Sequence, residues 1–320
     1  MKILKVLLLS FFIFGFFACA FLAIASAPAK RASNVRTKEA IEADDFFWKH
    51  FHKGDYDKID EILTRLKSAF LKDPNDATTI SHIAFTHVWR LSERIRLANI
   101  LPNITDDAVL AVQYFDEALR LNPKDARVKG FLADMEMAAG TIFHDEKKVR
   151  KGYFLGLEAI DEWPEFNLFT VGYPLSTKKA NSEKFKEALE WQWKTLERCA
   201  EKKLDRENID YKSVMNNEER SKKVRKKSVC WNSEIAPHNF EGFFLNMGDM
   251  LLKAGKKSQA LAIYDAAKLS KTYEQWPYKK ILEQRIADAK NAEEGISDTY
   301  APRPMMFNSA ISCMACHQSG

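Results

Sequence analysis

Apolar residues recur at three- and four-residue steps along most of the chain, and two-residue alternation bounded by paired turn signals is missing. That periodicity predicts helices at about 36–52, 55–72, 76–98, 105–121, 125–139, 144–161, 181–202, 238–254, 257–270 and 275–292. Asp73-Pro74-Asn75-Asp76 and Asn122-Pro123-Lys124-Asp125 each stop one helix and offer an acidic N-cap to the next. Two stretches break the pattern. Residues 162–180, with Trp163-Pro164 and Gly172-Tyr173-Pro174, read as an aromatic-rich loop, and residues 203–236 as a polar one.

The two Pro boundaries close similar helices. Ala111, Phe115, Ala118 and Pro123 fall at the spacing of the second helix and closing Pro of a tetratricopeptide repeat, and the segment AVQYFDEALRLNP resembles that signature. Ile62, Leu66, Ala69 and Pro74 repeat the spacing with bulkier residues. Phe244, Met247, Gly248, Leu251, Gly255, Ala260, Tyr264 and Ala267 cover both helices of a third unit, with Thr272 in place of the closing Pro. The spacing is irregular, 49 residues from Pro74 to Pro123 and 41 from Pro123 to Pro164 against a repeat of about 34, and Lys49, Lys53 and Pro102 stand where large apolar residues belong. The resemblance implies an all-α fold, a degenerate tetratricopeptide-like helical-hairpin solenoid over 36–294. Such a solenoid is expected to offer a groove to a peptide or protein.

The N-terminus carries different information. Lys2 and Lys5 precede an apolar run from Val6 to Ile24, followed by the small residues Ala25, Ser26 and Ala27. Residues 1–25 therefore read as an export signal, or as a retained N-terminal membrane anchor, and Cys19 leaves a lipoprotein open. The chain is then periplasmic or otherwise exported, soluble or anchored. With 49 basic and 44 acidic residues the formal net charge is +5. Such a mixed, weak excess does not describe a nucleic-acid binder. A cluster of Arg220, Lys222, Lys223, Arg225, Lys226 and Lys227 reads as a solvated loop, or as a dock for an acidic partner or anionic lipid.

Chemistry concentrates at the end of the chain. Cys313-Met314-Ala315-Cys316-His317 is the C-x-x-C-H of c-type haem attachment. Two cysteines three residues apart on one helical turn can present both thioethers to a porphyrin edge, and His317 then offers a proximal imidazole to the iron. One haem c per chain follows from this reading, in a tail over 295–320 with Pro302, Pro304 and an apolar run of Met305, Met306 and Phe307. A redox dithiol, half a zinc site or a plain disulfide are the other readings of the Cys pair.

A second axial ligand comes from the helical body or is absent, and His238 is the first candidate, ahead of Met247, Met250 and His144; a capping or core role for His238 is the plainer alternative. Cys199 and Cys230 suit a disulfide in an oxidising compartment. His50, His52, His82 and His87 read as structural, and Trp163, Trp191, Trp193 and Trp276 as packing residues. No Walker loop, dinucleotide fingerprint, G-x-S-x-G or H-E-x-x-H occurs in the sequence.

The expected function is that of a monohaem c-type cytochrome-like electron carrier whose body docks a redox partner. The alternative is an exported tetratricopeptide-like interaction scaffold without haem. Either way the chain reads as a carrier or binding protein in preference to a catalyst. If the leader is cleaved after Ala25, N-terminal sequencing of the exported chain will begin at Ser26; a chain starting at Met1 identifies an anchor instead.

Overall fold

A computed structural model describes residues 22–51, 53–93, 99–100, 102–212, 227, 229–230, 241–271, 273–276 and 278–291. Among these the chain is helical, without β-strands. The helices are α1 (Lys38–Phe51), α2 (Ile59–Lys72), α3 (Ala77–Glu93), α4 (Asp106–Leu121), α5 (Ala126–Ile142) and α6 (Glu146–Glu162). They continue as α7 (Pro164–Leu175), α8 (Glu183–Ala200), α9 (Glu241–Lys253), α10 (Lys257–Ala267) and α11 (Lys279–Asn291). No described helix is long and apolar enough to cross a membrane.

The predicted caps form. Asp76 accepts the backbone N–H groups of Thr78 and Thr79 at the head of α3. Asp125 accepts those of Arg127 and Val128 at the head of α5. Asp145 and Ser182 do the same for α6 and α8. Each cap satisfies donors that the first turn leaves orphaned, worth about 1 kcal/mol.

Packing follows chain order. α1 pairs with α2, α3 with α4, α5 with α6, α7 with α8 and α9 with α10, while α11 closes against α10. Across the joints α2 meets α3, α4 meets α5 and α6 meets α7, and α5 also reaches α7. This nearest-neighbour stacking of helical hairpins is compatible with a helical solenoid. Phe115 fills the centre of the first half of the core, fully buried, with Phe85 edge-on to it at 5.0 Å and to Phe131 at 4.6 Å. In the second half Tyr264 is fully buried and donates its hydroxyl to Asp249 at 2.5 Å, while Arg285 of α11 reaches the same carboxylate at 3.3 Å.

Two glycines set the helix separation. A Cβ on Gly248 would lie 2.3 Å from the Tyr264 ring, and one on Gly152 would lie 2.6 Å from the Ala133 carbonyl oxygen. Both distances fall inside van der Waals contact, so only glycine permits these approaches.

The segment before α1 is strapped down by polar contacts. The Arg36 guanidinium donates to Asp76 at 2.9 Å and to Asp44 at 3.1 Å, and Asp44 in turn pairs with buried His82. At the other joint, buried Lys253 of α9 donates to the carbonyls of Ser176 and Lys178, just beyond α7, at 3.1 and 2.6 Å. A cation there answers the negative end of the α7 dipole.

One expectation needs correction. Residues 162–180 are not a loop, since α7 occupies Pro164–Leu175. Pro164 stands at its first position, where no N–H is needed, and Pro174 lies in its last turn. The helix is apolar nearly all round, with Leu168, Phe169, Val171 and Tyr173 buried, so it carries no one-sided stripe to read.

Lys49, Lys53 and Pro102 are all exposed, and Gly54 turns the chain after α1 at φ 69°. Replacing Gly248 with Ala should cost about 1–3 kcal/mol by overpacking Tyr264, read as a lower urea midpoint with unchanged helicity.

Candidate functional site

Cys313, Cys316, His317, His238, Met305 and Met306 lie outside the described residues, as do residues 1–21 and the basic cluster up to Lys226. The other proposed axial ligands lie within them. Met247 and Met250 are fully buried, and the Met250 sulfur accepts from the Asn246 amide at 3.7 Å. His144 sits in the turn between α5 and α6 at φ 55°, exposed. A thioether sealed in the core has no open side to give to an external iron.

His52 lies outside the described residues, and the three other histidines within them have carboxylate partners. His50 pairs with Asp55 at 2.7 Å, His82 with Asp44, and His87 with Asp107 at 2.6 Å. Burial pushes the His82 and His87 imidazoles below their ordinary value, against the opposite pull of the carboxylates. Among the described residues no group of three His, Cys, Asp or Glu side chains could hold a metal ion. Trp191, Trp193 and Trp276 are buried, and Trp163 is half-buried.

Cys199, at the end of α8, is bridged to Cys230 with a Cα–Cα separation of 5.4 Å. Both are buried, and so is Val229. The bridge pins this short segment against the α7–α8 hairpin and organises the clefts around it. A recess of about 30 Å³ is lined by Phe166, Phe169, Leu196, Phe243 and the two bridged cysteines. Phe166 and Val229 are shared with a groove of about 850 Å³, whose other lining includes Pro123, Lys124, Arg127 and Trp163. A further groove of about 970 Å³ runs along α8, with Leu157, Ile160 and Trp191 among its apolar residues and Lys194, Arg198 and Lys202 among its cations.

The middle groove has two chemically distinct sides. Trp163 and Phe166 stack with centroids 5.0 Å apart. Asn167, one residue on, ties the wall together by donating to the carbonyls of Ala126 and Ala159 at 2.9 and 2.8 Å. Its two acids are already engaged, because Asp125 caps α5 and Glu162 pairs with Lys129. Lys124 makes no ion pair among the described residues, while Arg127 is ion-paired with Asp125 at 3.7 Å. An apolar wall edged by these two cations suits a flat apolar ligand, or a peptide face, that carries carboxylates. The groove's described lining contains no His, Met or Cys, so it can supply walls and cations to a haem but no iron ligand.

No known protein-family model matches this chain, and no curated protein matches it.

One buried acid stands apart from this cleft. Asp134 of α5 is buried, its Oδ2 has no hydrogen-bond partner, and desolvation pushes its carboxyl up to about 8. Glu136, also buried, differs in having Lys151 at 2.5 Å. Above its ordinary value near 4 the unfolded chain has lost this proton, while the folded chain keeps it until about pH 8. The folded state therefore binds more protons, and stability falls as pH rises through that window. Asp134→Asn should remove the slope, adding on the order of a few kcal/mol at pH 8 and almost nothing near pH 4, measured by urea unfolding at both values.

Proposed function

We propose that the chain is an exported monohaem c-type electron carrier built on a degenerate tetratricopeptide-like body. The observation that carries this reading is Cys313-Met314-Ala315-Cys316-His317, with Cys313 and Cys316 as thioether donors and His317 as proximal iron ligand. The basic and apolar leader supports export, and a Cys199–Cys230 bridge is at home in the same oxidising compartment. The haem supplies one-electron chemistry when bound; the protein's share is ligand choice, burial and docking of a redox partner.

The tetratricopeptide likeness rests on small and aromatic residues at matching places. Ala111, Phe115 and Ala118 are buried on α4, and Gly248 meets Tyr264 between α9 and α10. In the haem carrier the body's grooves serve partner docking. Their size also favours a second reading, an exported interaction scaffold without haem.

Mass spectrometry and absorption of protein exported from a host with c-type maturation machinery separate the two. A mass increase of one haem with a c-type absorption band is expected. A colourless product at bare peptide mass overturns the carrier and leaves the scaffold. Carbon monoxide binding by the reduced protein would further reveal an open sixth position.

A further inference from the structure

A haem attached through Cys313 and Cys316 presents a large apolar ring that is stabilised by burial against apolar side chains. The groove beside the Cys199–Cys230 bridge has matching chemistry. Trp163 and Phe166 form a stacked aromatic wall, and Val229 adds an aliphatic surface. Lys124 stands in the same lining without an ion pair among the described residues, and beside it Arg127 shares Asp125 with the α5 cap at 3.7 Å. That combination answers both parts of a haem, the macrocycle and its two propionates.

We infer that this groove seats the haem-bearing segment of the same chain, residues 292–320, with Lys124 and Arg127 holding the propionates. The inference rests on the haem reading above. Reach does not limit it, because the residues from Asn291 to Cys313 can span roughly 70 Å when extended. Charge agrees, since Glu293, Glu294 and Asp298 outnumber Arg303 in that segment even before the propionates are added. Its Met305, Met306, Phe307 and Ile311 supply apolar side chains for the aromatic wall.

The test uses the full chain after haem loading has been verified by mass and absorption. Chymotryptic cleavage after Tyr300 and Phe307 is timed by mass spectrometry, beside a Cys313→Ser/Cys316→Ser chain that cannot attach haem. The loaded wild type should be cut about tenfold more slowly at both positions, since cleavage tracks the undocked fraction. Lys124→Glu/Arg127→Glu should restore the haem-free rate with the absorption band and thermal melt retained, and Trp163→Ala should act likewise.

Equal rates with and without haem, or protection indifferent to the charge reversal, overturn the docking alone. Protection that fades on dilution assigns the groove to the tail of a second copy and overturns the intramolecular seat. A chain that never acquires haem overturns the carrier reading, and this inference with it.

Discussion

Close approach between consecutive antiparallel helices is the constraint on which this molecule depends. A single helix here cannot bury its own apolar face, so each must lean on the next, and the distance between them is set by what stands at the crossing. Gly152 lets α6 meet the backbone of α5, and Gly248 admits the Tyr264 ring. Phe115 fills the space left beside Ala111 and Ala118. Small residue against large is a steric complementarity that hydrophobicity alone would not specify.

Polar groups do a different task. They fasten segments that the serial packing would leave loose. Arg36 joins the chain before α1 to Asp44 and Asp76, and through Asp44 to His82, so one guanidinium links three pieces of structure. Lys253 and Asn167 play comparable parts around α7, each donating to carbonyls of other segments. Left unpaired in those buried positions, the same groups would destabilise the fold. Their placement on either side of α7 also steadies the aromatic wall of the central groove.

The helical class, the Asp76 and Asp125 caps and the alanine–aromatic spacing of α4 were legible in the sequence because each rests on local rules. Helix α7 was not. Its two prolines look like breakers, and its apolar surface, buried nearly all round, removes the periodic contrast by which a helix is recognised. The isolation of Asp134 is a matter of tertiary surroundings, and nothing in its neighbours along the chain announces it. The groove was half visible: Trp163-Pro164 and the pair Cys199 and Cys230 were singled out separately, but only the folded chain brings Phe166 and Val229 into one lining. The C-x-x-C-H run from Cys313 to His317 is legible only as sequence.

The covalent tie at Cys199 bears on where this protein can finish maturing. It joins positions 31 residues apart, a closure worth about 3–4 kcal/mol in the chain-entropy account. In a reducing cytoplasm that closure is lost, and with it the tether that keeps Val229 at the cleft. On the proposal that the chain is exported, the compartment that oxidises the thiols would also be the one in which the cleft beside Val229 is completed.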